Sequence, residues 1–209
     1  MGLSFESSVA VGLRVEGSEE SLEGRRHRRR YQFFAMVINR LQLPRSAVVL
    51  DHGCGAGYGC KIISGGTKAG VVGFDPDVEA VCYAREHHWW DVLTTMPEGP
   101  LDVIVTTGVL EHIAGVHPGD RIAEFLTMAP HVIGSVPYRE LPGENPHHLW
   151  FGLEAANLFP AEAKVRTWYE SCDEKIPFIE GPRVRSVSFF ESRDVRDSIN
   201  ILFHVERQP

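Results

Sequence analysis

The alternation of apolar runs with helical patterns constrains the fold of this chain more than any other feature. AVVLD at 47–51, GVVGFD at 70–75, LDVIVTTG at 101–108 and HVIGSVP at 131–137 are largely apolar. Such runs are typical of strands covered on both faces. Helical patterns such as PDVEAVCYAREHH lie between them. Strands that alternate with helices indicate an α/β fold with a parallel sheet between helices.

The segments that flank this alternation predict further elements. Apolar residues at helical spacing predict an amphipathic helix at 25–41, which Pro44 closes. WWDVL is a short strand candidate, GLEAANLF looks helical, and AKVRTWYES and INILFHVER look like two closing strands. RSVSFFES also has strand character, and residues 1–20 are expected to be partly loose.

Glycines at alternate positions follow the first predicted strand, in VVLDHGCGAGYG. They do not form the G-x-G-x-x-G fingerprint of dinucleotide-binding proteins, because the sixth position is Tyr58, Cys60 or Ile62 in the three possible registers. Glycines at a strand end let the backbone turn sharply and approach a ligand closely. The simplest alternative is that they only make a tight strand–helix turn.

Two acids distinguish these readings. Asp51 ends the first strand ahead of the glycines, and Asp75 ends the second strand, where a carboxylate can accept hydrogen bonds from ribose hydroxyls. An acid before the glycines suits a cationic ligand better than a pyrophosphate. The pattern therefore favours a nucleoside with a positively charged tail, such as S-adenosylmethionine (SAM).

Composition limits the class of protein. The net charge of −7 counts weakly against a nucleic-acid binder, although RRHRRR at 25–30 is either a solvated helix face or a phosphate-binding run. No apolar run approaches the roughly 18–20 residues that span a membrane. The N-terminus lacks a signal-peptide pattern, and the cysteines lack metal-type spacing. Free thiols in a cytoplasmic protein are the expectation.

Over roughly residues 20–160 the sequence resembles the class I SAM-dependent methyltransferases. The resemblance is carried by VVLDHGCGAGYG, VVGFDPDVEAVCYARE, LDVIVTTGVLEHI, RRHRRRYQFFA and IGSVPYRELPGENPHHLWF. The segment LDVIVTTGVLEHI resembles the fourth-strand motif of the small-molecule branch that includes ubiquinone-type and sugar methyltransferases. The resemblance to the family implies a Rossmann-like methyltransferase fold with a mostly parallel seven-stranded sheet and an antiparallel last strand. Residues 21–209 would form a single domain, with the helix at 25–41 as a lid.

The resemblance also implies which residues hold SAM. Asp51 would fix the amino group, Asp75 would accept the ribose hydroxyls, and Tyr31 would close the pocket. The other residues expected on the cofactor side are Gly53, Gly55, Gly57, Pro76, Asp91, Val92, Thr107 and Gly108.

Four residues are candidates for the acceptor side: His112, His148, Glu111 and Tyr138. A neutral histidine can take a proton from an acceptor hydroxyl near neutral pH, and His147 could replace His148. The alternatives stay open: a packing or capping role for His112, a loop anchor for His148, and a cap or supporting role for Glu111. Tyr138 stands where relatives have asparagine, and the lysine–proline–glycine–glycine turn before the fifth strand is absent.

Some relatives bind a divalent cation through a glutamate three residues ahead of the glutamate–histidine pair. Gly108 occupies that place here, so the sequence predicts no catalytic metal. The leading prediction is therefore methyl transfer from SAM to an oxygen or nitrogen of a sugar or natural-product-like acceptor. A nucleic-acid methyltransferase and a SAM-binding protein without turnover are the alternatives. No membrane association is expected, and a homodimer is possible.

Overall fold

The computed structural model describes residues 22–171, 178–180 and 198–208. The chain divides into two compact units, residues 1–105 and 106–209. The helices are α1 Leu22–Arg40, α2 Tyr58–Gly66, α3 Val78–His87, α4 Pro118–Met128 and α5 Ala155–Leu158. The strands are β1 Val48–His52, β2 Gly70–Phe74, β3 Val92–Leu93, β4 Val103–Thr107, β5 His131–Pro137, β6 Lys164–Ser171, β7 Phe178–Glu180 and β8 Ser198–Glu206. A short 3-10 helix spans Leu110–His112.

The first unit contains the parallel half of the predicted alternation. Its strands follow the order β3-β2-β1-β4, and β1 pairs in parallel with β2 and with β4. The register places Asp51 opposite Gly73 and opposite Val105. The middle of β1 is buried, as its continuous apolar run predicts.

Helix boundaries in this unit follow local signals. The Asp77 side chain caps α3 by accepting the backbone N–H of Glu79 at 2.9 Å, which satisfies a donor that the first helical turn leaves unpaired. Helix α1 packs on α2 through close backbone contact. A Cβ on Gly66 would come within 2.7 Å of the Ala35 Cβ.

The second unit contains the antiparallel half. Its strands follow the order β4-β5-β8-β6-β7, with β4 lying at the boundary between the units. Strand β8 pairs antiparallel with β5 and β6, and β7 pairs antiparallel with β6. The apolar residues of β8 are fully buried at consecutive positions, including Ile201, Leu202 and Phe203.

The predicted fold class is confirmed. The sheet contains both parallel and antiparallel pairs, helices flank it, and its last strand, β8, runs antiparallel to both of its neighbours. The three-residue strand β7 adds an eighth strand to the seven that were expected. The loose segment predicted at 1–20 and the strand character of RSVSFFES lie outside the described residues. Among the described residues, no helix is both long and apolar enough to cross a membrane.

Candidate functional site

The glycine turn, residues 53–57, follows β1 in the first unit. Gly53, Gly55 and Gly57 have φ angles of 75°, 51° and 79°, in the left-handed region that side chains other than glycine rarely adopt. The Phe74 carbonyl accepts the backbone N–H of Gly53 at 2.7 Å. A Cβ on Gly55 would meet no atom within 4 Å. The turn is therefore fixed on its inner side and open at Gly55, where a ligand can approach the backbone.

Asp75 fixes the glycine turn from the end of β2. Its Oδ2 accepts the N–H of Gly55 at 2.9 Å, and its Oδ1 accepts the N–H of Asp77 at 2.9 Å. The residue is buried. A carboxylate can accept about four hydrogen bonds, so a carboxylate that fixes a turn can also accept bonds from the hydroxyls of a ligand. The role in binding ribose remains a prediction.

Asp51 is a buried acid with two neutral donors. The Tyr31 hydroxyl donates to its Oδ1 at 3.2 Å, and the Cys60 thiol donates to its Oδ2 at 3.4 Å. Burial raises the pKa of Asp51 to about 7, and the hydrogen bonds from Cys60 and Tyr31 only partly oppose that shift. A cationic ligand group beside Asp51 would stabilise its ionised form. An acid of this kind at an open glycine turn fits the ammonium group of SAM.

Tyr31 reaches Asp51 because a glycine faces it. A Cβ on Gly59 would come within 2.2 Å of the Tyr31 ring, so only glycine lets the ring lie on α2. Elsewhere on α1, His27 bonds the Tyr58 hydroxyl, and burial together with Arg30 and Arg28 lowers the pKa of His27 to about 3. Sequence reasoning missed His27, Tyr58 and Cys60, since each acts through a contact between elements.

The remaining residues predicted to contact the cofactor occupy varied environments. Pro76 is exposed, Asp91 is half-buried, and Val92 is buried in the core of the first unit. In the second unit, the Thr107 hydroxyl lies 2.5 Å from the Ser135 hydroxyl, and Gly108 has a φ of 66°. Their contacts with a cofactor remain predictions.

Three of the predicted acceptor-side residues meet in the second unit. Glu111, His112 and His148, hereafter the histidine cluster, each offer an oxygen or nitrogen atom, and these atoms all lie within 4.8 Å of one another. Glu111 is buried, and the two histidines are half-buried. The backbone brings them together, because the Leu149 N–H donates to the Glu111 carbonyl at 2.8 Å.

The histidine rings of the cluster are held at Nδ1. His112 Nδ1 donates to the His147 carbonyl at 3.0 Å, and His148 Nδ1 bonds a carboxylate oxygen of Glu140. Burial lowers the pKa of His112 below its ordinary value of 6.5, which favours a neutral ring. The sequence did not indicate Glu140, because only the loop conformation brings it to His148.

Two other predicted candidates lie apart from this cluster. The Tyr138 ring packs edge-on against Tyr169, with centroids 5.0 Å apart, and beneath the Arg139 guanidinium. His147 supplies its backbone carbonyl to His112, while its ring is not part of the cluster. Histidines His112 and His148 are therefore better placed than His147 to act together.

Solved structures share this fold at low sequence identity. The Synechocystis magnesium protoporphyrin IX methyltransferase with bound S-adenosylhomocysteine (SAH) is 17% identical, with a TM-score of 0.58, over 94% of this chain and 92% of that chain. A chain from the Haloferax volcanii complex of the Trm112 methyltransferase activator with a methyltransferase is 16% identical, with a TM-score of 0.60, over 94% of each chain. A TehB-like SAM-dependent methyltransferase from Corynebacterium glutamicum is 20% identical, with a TM-score of 0.52, over 83% and 86% of the two chains.

A search of curated protein sequences finds no match. The family model described as a methyltransferase domain matches residues 25–181, which is most of the chain and includes the glycine turn, both strand-end acids and the histidine cluster. The protein therefore belongs to the methyltransferase domain family, and the expectation of a SAM-dependent methyltransferase is confirmed.

Proposed function

We propose that the protein transfers a methyl group from SAM to an oxygen or nitrogen of a small-molecule acceptor. The observation that carries the proposal is the donor side: two buried strand-end acids, Asp51 and Asp75, flank a glycine turn that is open at Gly55. SAM supplies a methyl group already activated by a sulfonium. The protein's main task is then to align the donor and acceptor atoms.

Each residue of the donor side has a distinct task in this proposal. Asp51 binds the ammonium group, the positive-φ backbone of the glycine turn passes beneath the methionine part, and Asp75 accepts the ribose hydroxyls while it fixes Gly55. Tyr31 covers this region from α1.

The acceptor side is assigned to the histidine cluster. Removal of an acceptor proton by a positioned histidine is worth typically 10²–10⁴-fold in rate. His112→Ala and His148→Ala are therefore expected to lose that much turnover while SAH affinity is retained. The matched control is His87→Ala, which removes an exposed histidine of α3. Loss of SAH affinity in the cluster variants would contradict their assignment to the acceptor side.

A small-molecule acceptor is favoured over nucleic acid by how the basic run of α1 is used. Arg30 is buried, and the Arg28 guanidinium lies over the Tyr58 ring at 5.3 Å. The net charge of −7 also counts against nucleic acid, because neutralisation of phosphates by basic side chains is the main source of nucleic-acid affinity.

Radiolabelled methyl transfer tests the function. The full chain is incubated with methyl-labelled SAM and separate small-molecule, RNA, DNA and protein fractions of a cell extract. We expect label in the small-molecule fraction, and at least about tenfold less with Asp75→Ala at a SAM concentration below the dissociation constant, as the expected loss of a hydrogen bond to a charged group predicts. If the label appeared only in RNA or DNA, the acceptor would be nucleic acid and the proposal of a small-molecule acceptor would be wrong. Calorimetry that detects NAD but not SAH would overturn the donor assignment.

A further inference from the structure

The histidine cluster has the composition and support of a metal centre. We propose that Glu111, His112 and His148 bind one divalent transition-metal ion, which holds the acceptor oxygen for methyl transfer. The inference rests on the proposed function for its chemical role, but not for the binding of the ion. The sequence predicted no metal because Gly108 offers no ligand, yet three ligands assemble without that position.

The separations within the cluster suit a single ion. Metal–nitrogen and metal–oxygen bonds are about 2.0–2.2 Å long, so ligands on one ion lie about 3–4 Å from one another. The three ligand atoms lie within 4.8 Å of one another. Small side-chain rotations are enough to close that gap around an ion.

The ring of His112 is oriented as metal-binding histidines usually are. A carbonyl can only accept a hydrogen bond, so the His147 carbonyl fixes the proton of His112 on Nδ1. The lone pair of the neutral ring is then on Nε2, which is available to a metal. A ligating histidine almost always donates its other N–H to a carbonyl or carboxylate in this way.

The ring of His148 follows the same rule with a carboxylate. Glu140 accepts from Nδ1, which places the lone pair on Nε2. Asn145 Nδ2 donates to that lone pair at 3.0 Å, and the Asn145 amide is oriented by its Oδ1, which accepts the His147 N–H at 3.0 Å. A metal ion would replace the Asn145 N–H at Nε2, so Asn145 competes with the ion.

The ligand set indicates the class of metal. Two imidazoles and one carboxylate suit zinc, manganese, cobalt or iron better than magnesium or calcium, which prefer oxygen ligands. The ion would also offset the charge of the Glu111 and Glu140 carboxylates. With three protein ligands, coordination positions remain for the acceptor, as in catalytic metal sites.

A bound ion would change which group accepts the proton of the acceptor hydroxyl: bulk water instead of a histidine. A metal-bound hydroxyl has a lowered pKa, so the acceptor O–H loses its proton to bulk water. The oxygen then forms a bond to the methyl carbon, the methyl–sulfur bond breaks, and sulfur keeps the electron pair as the thioether of SAH. With the ion bound, His112 and His148 act on the acceptor through the ion instead of as direct bases, so the turnover loss expected for His112→Ala and His148→Ala would come from loss of the ion.

Metal binding to the full chain tests the proposal directly. The protein is stripped with a chelator, and Zn²⁺, Mn²⁺, Co²⁺ and Mg²⁺ are titrated by calorimetry, with bound metal counted by elemental analysis. We expect one transition-metal ion per chain, a Co²⁺ visible absorption band, and Mg²⁺ binding that is at least 100-fold weaker. Equal binding of Mg²⁺, or no stoichiometric ion, would overturn the site.

The Zn²⁺ affinity of single variants distinguishes the residues that bind the ion from the residues that only hydrogen-bond to them. Glu111→Gln, His112→Ala and His148→Ala should each weaken Zn²⁺ affinity at least 100-fold, and Glu140→Gln should weaken it about 10–100-fold, as partners of metal ligands do. His147→Ala keeps the carbonyl that His112 needs and should leave affinity unchanged. Asn145→Ala removes a competitor and should leave it unchanged or tighter. SAH affinity and circular dichroism on the same samples confirm folding.

The metal proposal and the proposed function fail in different ways. Methyl transfer that survives the chelator, with SAH binding intact and no bound ion, would overturn the metal but keep the function. A stoichiometric Zn²⁺ complex of a protein that does not bind SAH would overturn the function but keep the site.

Discussion

At the scale of single residues, Asp51 couples ligand binding to pH. Its pKa is raised to about 7 in the ligand-free protein, and an ammonium group beside it should lower that pKa. Binding then releases a proton below pH 7, so SAH affinity should fall as the pH drops from 7 to 5, at most about tenfold per unit. An α-amino group, whose pKa is about 7.7–8.0, stays protonated throughout.

Calorimetry of SAH binding between pH 5 and 7 measures this slope. Asp51→Asn should bind more weakly at pH 7 and show a flat profile, because the titrating group is gone. If SAH affinity changed with pH equally in the wild-type protein and in Asp51→Asn, the proton released on binding would come from another residue.

The two carboxylates after β2 are expected to have different roles. Asp75→Ala removes the acceptor for Gly55 and for the ribose, so SAH affinity should fall by about 1.5–3 kcal/mol, the scale of a hydrogen bond to a charged group. Asp77→Ala removes the cap of α3, so it should cost about 1 kcal/mol of stability and little SAH affinity. Isothermal titration and chemical denaturation of both variants test the contrast. Equal SAH affinity in the two variants would remove Asp75 from the site.

The strand-end acids were predictable from sequence, whereas their partners were not. Asp51 and Asp75 end apolar runs, and the ends of parallel strands meet at one edge of a sheet. Glu140 and Asn145 reach His148 only through the conformation of the 140–148 loop, for which no periodic signal exists. Cys60 faces Asp51 because α2 follows the glycine turn, and the residue type alone does not reveal that contact.

At the scale of elements, the packing of α1 on α2 depends on one glycine. Gly59→Ala would place a methyl group within 2.2 Å of the Tyr31 ring. The ring is buried and bonded to Asp51, so it cannot yield without loss of that bond. We expect a stability loss of about 1–3 kcal/mol, typical of overpacking, and faster hydrogen exchange in α1.

Gly65→Ala is the matched control on the same helix, because a Cβ there meets no atom within 4 Å. It should be neutral, or stabilising by up to about 1 kcal/mol, through better helix propensity. Equal effects of the two substitutions would show that Tyr31 does not constrain Gly59. Ordering of α1 by cofactor remains a prediction, which hydrogen exchange with and without SAH would test in the same experiment.

Strand β8 carries a pH-sensitive contact. His204 Nε2 lies 3.2 Å from His131 Nδ1 of β5, and Arg166, Lys164 and Glu206 also act on the ring. Burial and the neighbouring His131 lower the pKa of His204 from 6.5 to about 4. The folded state thus binds fewer protons than the unfolded state between these values.

Stability from this residue is fully present above pH 6.5 and is lost as the pH falls toward 4. At pH 5 the loss is about 2 kcal/mol. Denaturant unfolding at pH 7 and pH 5 measures it, and His204→Gln should reduce the difference by that amount. A variant with an unchanged difference would place the acid sensitivity elsewhere.

Elements with strong periodicity were predicted closely. The run HVIGSVP coincides with β5, and the predicted helix at 25–41 overlaps α1 almost completely. Strand β7 was missed, because three residues carry too little pattern to identify a strand. Helix α5 is only four residues long, since a capping box at Glu154 starts it but no apolar face prolongs it.

At the scale of the whole molecule, the parallel half of the sheet followed from the sequence, but the strand order of the other half did not. In the first unit, helix α2 links β1 to β2 and helix α3 links β2 to β3, so the alternation predicts these parallel pairs. The pairings of β8 with β5 and with β6 join segments distant in sequence. Such pairings are set by side-chain fit across strands, which has no short-range sequence signal.

The Cys60 thiol, which donates to Asp51, can report when the glycine turn becomes exposed to solvent, because a buried thiol reacts with a labelling reagent only when it is exposed. Cys54 and Cys60 are buried, whereas Cys82 is exposed. In a variant that carries Cys82→Ser and Cys172→Ser, a thiol-labelling reagent should react only during excursions that expose the glycine turn. SAH at 100 times its dissociation constant should slow labelling about 100-fold by mass action. Mass spectrometry of the labelled protein measures that rate, and labelling indifferent to SAH would mean that the thiols become exposed without release of the cofactor.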